Sequence, residues 1–95
     1  MTEERELTFA ANRDAFSTRL WVAIKRKGIT YLAAARLASR LLPGSERISD
    51  VSVWSYAKGK SFPRKIAHII ALGKALDFET DDIVIQNHHV SHAED

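Results

Sequence analysis

Four cationic side chains lie close together near the middle of this 95-residue chain, around a glycine and a proline. They are Lys58, Lys60, Arg64 and Lys65. A turn followed by a helix start also presents backbone N–H groups, and both kinds of donor favour phosphate oxygens. These residues therefore predict contact with the phosphates of a polyanion, although the same charges could serve only to keep a helical surface solvated.

The segment ahead of this cluster predicts a short helix over residues 49–58 that presents one face to a partner. Ser49 is a typical N-cap, Gly59 a typical residue just beyond a helix end, and Pro63 a typical first residue of the next helix. The near-alternation of apolar and polar residues over 51–56 would also fit a β-strand. A single strand would have no partner in an otherwise helical chain, so we expect a helix.

Positive charge is concentrated between residues 13 and 65, which hold twelve Lys or Arg and three Asp or Glu. The two ends hold nine acids and two cations, so the net charge of the whole chain is only +2. A basic centre between acidic ends is typical of a domain that binds a polyanion. The arginines Arg36, Arg40 and Arg47 of this centre are secondary candidates for phosphate contact.

The sequence gives little support for a secreted, membrane-spanning, metal-binding or catalytic protein. Without cysteine there is neither a disulfide framework nor a cysteine zinc site, and the acidic N-terminus does not resemble a secretory signal. The longest apolar runs, such as residues 20–24, are too short to cross a bilayer. His88, His89 and His92 include a pair four residues apart that could bind a metal in a helix, but no acid or cysteine ligands accompany them at firm spacing, so we expect a polar tail. His68 is expected to be structural. The sequence shows neither a suggestive order of Ser, His and Asp for catalysis nor a glycine-rich phosphate loop. We therefore expect a cytoplasmic protein that is not an enzyme and holds no metal or cofactor.

The remaining sequence predicts an all-α fold, a compact bundle of about five short helices in one domain. The domain spans residues 12–86, between an acidic flexible lead (1–11) and a polar tail (87–95). Asn12, Thr30 and Thr80 are expected N-caps, in addition to Ser49. Glycine and proline mark the helix ends. The predicted helices cover residues 12–27, 30–42, 49–58, 63–76 and 81–86.

Apolar residues recur at helical spacing and predict the core. The predicted core positions are Phe16, Leu20, Ala23, Ile24, Leu32, Ala35, Leu37, Ala38, Leu41, Leu42, Ile66, Ile69, Ile70, Gly73 and Leu76. Trp21 and Val22 lie beside the first apolar stripe and either widen it or meet a neighbour. A glycine inside a helix, as at Gly73, predicts the close approach of another helix.

The order of these signals resembles the helix-turn-helix domains of the lambda-repressor-like family, also called Cro or XRE type. The residues that carry the resemblance are Ile29, Thr30, Val53, Ser55, Tyr56, Lys58, Gly59, Lys60, Pro63, Ala75, Leu76, Asp82 and Ile83. It covers about residues 13–84. In that family the third helix enters the major groove and the loop behind its glycine contacts phosphates. The resemblance implies a sequence-specific transcriptional regulator, of repressor type, that binds double-stranded DNA as a homodimer.

The resemblance also implies which side chains of helix 49–58 face the bases. They are Ser49, Asp50, Val51, Trp54 and Ser55. This set is poor in the Arg, Gln and Asn that make bidentate base contacts. The chain is also several residues longer between the second and third helices than the family pattern, which extends the turn over residues 43–48.

Several alternatives remain open for these positions. Val51 and Trp54 could meet thymine methyl groups, or they could bind a protein, which would make the chain an interaction module such as an antitoxin or antiactivator. With a different helix phase Trp54 would belong to the core. Ser49 and Asp50 could act only as an N-cap and a first-turn acid. A purely structural helical subunit is the remaining hypothesis. For a homodimer, the sequence suggests a surface formed by Phe78 and residues 83–85.

Overall fold

The computed structural model describes the backbone of residues 2–83 and the side chains of residues 12–83. Its four helices are α1 (Thr2–Lys27), α2 (Tyr31–Ser39), α3 (Asp50–Ala57) and α4 (Ile66–Leu76). Residues 81–83 form a further helical turn, and no strand occurs between residues 2 and 83, which confirms the all-α fold class. Both α1 and α2 pack against α3 and α4. None of the helices within these described residues is long and apolar enough to span a bilayer.

The first helix begins at Thr2 rather than at Asn12. Asn12 lies inside α1 and is buried, so the prediction that it is an N-cap is wrong. Residues 2–11, expected to be a flexible lead, contain neither glycine nor proline, and nothing interrupts the helix there. At the other end Gly28 takes a positive φ of 63°, and its N–H donates to the carbonyl of Ile24 at 3.0 Å. The predicted end of this helix is therefore confirmed.

The second helix begins where its cap predicts but ends early. Thr30 Oγ1 accepts a hydrogen bond from the N–H of Ala33 at 3.0 Å, which confirms the N-cap. The helix stops at Ser39 instead of continuing to Leu42. Leu42 N–H bonds back only three residues, to the carbonyl of Ser39 at 3.1 Å, so the chain tightens and turns away.

The fourth helix begins at Ile66, and Pro63 is not its first residue. Lys65 is extended, with φ −110° and ψ 132°, so the chain reaches the helix without a turn at the proline. The physical reason is packing: the extended approach carries the ring of Phe62 to 5.5 Å from that of Phe16, edge to face.

Gly73 does permit close packing, but of the following connector and not of another helix. A Cβ atom at Gly73 would overlap Thr80 Cγ2 and would lie 2.9 Å from the carbonyl oxygen of Phe78. The chain after α4 turns at Asp77, which has a positive φ of 59°, and folds back onto the helix. The glycine therefore positions the segment that leads to residues 81–83.

Much of the predicted core is buried, and the α1 stripe from Phe16 to Ile24 is confirmed. The predicted core positions that prove exposed are Leu32, Leu41 and Ile66. Trp21 and Val22 are exposed as well, so they do not widen the core. Leu32 is exposed because α2 turns its alanine face toward the core, where the small side chains allow the close approach of α3 and α4. The buried alanines of α2 are Ala34, Ala35 and Ala38.

The last described segment packs onto the core. Ile83 is completely buried, and the ring of Phe78 lies 5.9 Å from that of Phe16. Ile83 is therefore unavailable to a second chain, and the prediction that it belongs to a dimer surface is wrong because the core of the monomer already uses its side chain. Residues 84 and 85, like the three histidines of the tail, lie outside the described residues.

Candidate nucleic-acid interface

The phase of α3 is set by the residues that it buries. Val53 is fully buried and Ala57 nearly so, and Ser17 Oγ of α1 donates to the carbonyl of Ala57 at 3.0 Å. These contacts turn Val51 and Trp54 outward, where 69% and 39% of their surface is exposed. The predicted orientation is confirmed, and the alternative that Trp54 belongs to the core is wrong.

The helix begins at a serine cap, as predicted. Ser49 Oγ accepts from the N–H of Ser52 at 3.1 Å, and it donates to Ser52 Oγ at 3.0 Å. One hydroxyl thus satisfies a backbone group that would otherwise lack an intrahelical partner. Asp50 follows in the first turn, exposed, where its carboxylate is favoured by the helix dipole.

The end of α3 is a glycine turn that projects cations. Gly59 has a φ of 74°, its N–H donates to the carbonyl of Tyr56 at 3.1 Å, and Lys60 N–H donates to that of Ser55 at 2.9 Å. This pair of bonds is the Schellman arrangement, and only glycine adopts the required conformation without strain. The predicted glycine stop is confirmed, and the turn leaves Lys58 and Lys60 exposed.

The side chains around this turn are partly tied to one another. Ser55 Oγ lies 2.7 Å from Ser61 Oγ, so this candidate base-reading hydroxyl bonds within the protein. Lys60 Nζ lies 5.4 Å from the centre of the Trp54 ring, within the range of a cation–π contact. The outermost groups of α3 are therefore Asp50, Val51 and Trp54, with the Lys60 ammonium beside the indole.

Exposed cations lie at both ends of this face. Lys58, Lys60 and Arg64 follow the C-terminus of α3. At its N-terminus, α2 and the extended turn border a groove of about 600 Å³. The arginines that line this groove are Arg36, Arg40 and Arg47, all three exposed. The structure therefore brings six of the seven predicted phosphate-contact residues to the two ends of α3 as exposed charges.

Lys65, the seventh, is engaged elsewhere. Its Nζ lies 3.3 Å from Glu46 Oε1, and His68 Nε2 lies 2.9 Å from the same oxygen. The hydrogen bonds from His68 and Lys65 hold the pKa of the Glu46 carboxyl below its ordinary value. Glu46 thereby fastens the extended turn to the start of α4, which gives His68 the structural role expected of it.

A second attachment of this turn was not predicted from the sequence. Ser39 is buried at the end of α2, where its Oγ accepts from the N–H of Ile48 at 2.9 Å and donates to the Ile48 carbonyl at 3.3 Å. This hydroxyl holds the chain directly before the Ser49 cap. The only signal in the sequence is a serine among apolar helix positions, which does not identify its partner.

Comparison of the chain with models of protein families, with curated proteins and with solved structures gives no match. Its function has therefore to be inferred from the surface of α3 and the cations that flank it.

Proposed function

We propose that the protein binds double-stranded DNA as a lambda-repressor-like helix-turn-helix regulator, with α3 in the major groove. The observation that carries this proposal is the presence of exposed cations at both ends of an outward helical face. A major groove admits one α-helix and is bordered on each side by a phosphate backbone. A helix that is flanked at both ends by positive charge suits that arrangement.

The flanking cations would supply most of the affinity, because phosphate contacts release condensed counterions. Lys58, Lys60 and Arg64 would meet one strand, and the arginines of the α2 groove the other. Lys65 would contribute only after leaving Glu46, which it now contacts at 3.3 Å. A homodimer of repressor type would place two copies of α3 about one helical turn of DNA apart.

Selection of bound sites from random duplexes at two salt concentrations tests this proposal. We expect an enriched inverted repeat whose half-sites lie about 10 base pairs apart, and weaker recovery at the higher salt concentration. The Lys58→Ala, Arg64→Ala double variant should bind the selected site more weakly. Lys74→Ala is the matched control, since this exposed lysine of α4 lies at the cleft beside residues 77–81. Absence of any enriched site would overturn the proposal.

The exposure of Val51 and Trp54 favours one competing function, a protein-interaction module. This competing function predicts a specific protein partner that the Trp54→Ala variant no longer binds and the Trp21→Ala variant still binds. It also predicts that the protein shifts the mobility of no DNA duplex. Trp21 is a suitable control because it is exposed to a similar extent, 42%.

A further inference from the structure

We propose that α3 identifies its half-site chiefly by the C5-methyl groups of thymines, which Val51 and Trp54 contact. This inference rests on the DNA binding proposed above and concerns which chemical feature of the duplex is recognised. It follows from two observations: how the hydroxyls of α3 are bonded, and which side chains remain outermost.

The serine hydroxyls of α3 have little capacity left for bases. The single proton of Ser49 goes to Ser52 Oγ, while its oxygen accepts the capping bond. Ser55 Oγ is half-buried against Ser61 Oγ at 2.7 Å. The outward groups that can still donate a proton are the Ser52 hydroxyl, the indole N–H of Trp54 and, where Ser61 is the donor in the bond that it shares with Ser55, the Ser55 hydroxyl. Each is a single donor, so none of them matches the paired donors with which Arg, Asn or Gln distinguishes one base from another.

Apart from the Asp50 carboxylate, which can only accept hydrogen bonds, the outermost groups of α3 are apolar. Val51 is the most exposed large apolar residue of α3, at 69%, and Trp54 stands three positions later on the same helical face. In the major groove the only apolar group is the thymine methyl. The surrounding charge selects the partner: cations lie at both ends of this face, so a polyanion that carries methyl groups complements it better than an apolar protein surface does.

Lys60 supports this assignment. Its ammonium lies 5.4 Å from the centre of the Trp54 ring, a contact that restrains the indole at the end of the apolar ridge. The same ammonium is exposed, so it can approach a phosphate while the ring faces the groove. Trp54 is thus positioned by a residue that the DNA backbone would itself attract.

Replacing single thymines of the selected half-site by deoxyuridine tests the inference, since this change removes only the methyl group. Replacing a thymine that Val51 or Trp54 contacts should lower the affinity about four-fold, which is the effect of removing one methyl-sized apolar group from a contact. Thymines outside the half-site should show no effect. Binding is measured by titration of labelled duplexes with the full chain.

Two variants assign the effect to these side chains. With Val51→Ala or Trp54→Ala, deoxyuridine should no longer weaken binding at the position that the residue contacts. Trp21→Ala is a closely matched control, because Trp21 is 42% exposed and carries Lys25 Nζ at 5.5 Å from its ring centre. This variant should keep the full sensitivity to deoxyuridine.

The outcomes separate this inference from the proposed function. If the wild-type chain binds the selected site equally well with thymine and deoxyuridine, methyl recognition is overturned and DNA binding stands. If Val51→Ala and Trp54→Ala both keep the wild-type sensitivity, the assignment to these residues is overturned. If no duplex is selected at all, the proposed function fails, and this inference fails with it.

Discussion

At the scale of single residues, Ser39 has the clearest structural role that the sequence does not announce. Its hydroxyl bonds both the N–H and the carbonyl of Ile48, so it fixes where the extended turn ends and where α3 begins. Ser39 is buried, with 7% of its surface exposed. A buried backbone group that loses its partner costs more than the net value of the hydrogen bond itself.

Ser39→Ala should therefore lower the free energy of unfolding by about 1–3 kcal/mol, because Ile48 N–H stays buried without a partner. Urea unfolding followed by far-ultraviolet circular dichroism measures the change. Ser45→Ala, at an exposed position of the same turn, should alter stability by less than about 0.5 kcal/mol. Equal stability of the two variants would show that the bonds to Ile48 contribute nothing.

At the scale of elements, the last helical turn is attached to α1 by a bidentate ion pair. Arg19 Nη1 and Nη2 donate to the two carboxylate oxygens of Asp82 at 2.8 and 2.9 Å, and Arg19 Nη1 also donates to the carbonyl of Glu79 at 3.0 Å. The hydrogen bond from Arg19 holds the pKa of Asp82 below its ordinary value. Both side chains remain partly exposed, so the pair stabilises the fold only modestly.

This pair predicts a pH dependence of stability. The pKa of Asp82 is lower in the folded protein than in the unfolded chain. The ion pair therefore stabilises the fold fully at pH values above the ordinary pKa of 3.8, and this stabilisation is lost as the pH falls through the lower pKa of the folded state. Asp82→Asn should reduce the free energy of unfolding near pH 7 by up to about 1 kcal/mol. The difference from wild type should narrow between about pH 5 and about pH 2.

Urea unfolding at a series of pH values measures this difference. Asp14→Asn, an exposed aspartate of α1, serves as the control and should change stability near pH 7 by less than about 0.5 kcal/mol. A difference between Asp82→Asn and wild type that does not narrow in acid would contradict the role of the ion pair.

At the scale of the whole molecule, the distribution of charge matters more than the net charge of +2. Six exposed cations lie at the ends of α3. The acids within α3 and the extended turn before it are Asp50 and Glu46, and Glu46 is already paired with Lys65 and His68. Cations therefore outnumber acids at α3 and its two ends, while acids gather in the segment after α4. In the proposed function, this asymmetry would orient the DNA toward α3.

The number of cations at the ends of α3 predicts the salt dependence of the proposed DNA binding. If all six cations contact phosphates, the logarithm of the association constant should fall with the logarithm of salt concentration with a slope of about −5 per protomer. Lys58→Ala combined with Arg64→Ala should make the slope shallower by about 2. Lys74→Ala should leave it unchanged. Fluorescence anisotropy over a range of salt concentrations checks these values, and an unaltered slope in the double variant would refute the phosphate contacts.

The sequence by itself determined the features that depend on residues within one helical turn. The caps at Thr30 and Ser49 and the glycine stops at Gly28 and Gly59 are confirmed because each uses neighbouring backbone groups and one side chain. Such signals act locally, and no distant contact opposes them here.

Only the tertiary structure decided where α4 begins, which side of α2 is buried, and how the extended turn is attached. The start of α4 depends on Phe62 reaching Phe16, and the turn depends on Glu46 contacting His68, partners 22 residues apart. Capping preferences amount to about 1 kcal/mol, whereas burying an aromatic side chain contributes about 2–3 kcal/mol. Packing therefore prevents α4 from beginning at Pro63. The caps at Thr30 and Ser49 form as predicted because packing does not oppose them.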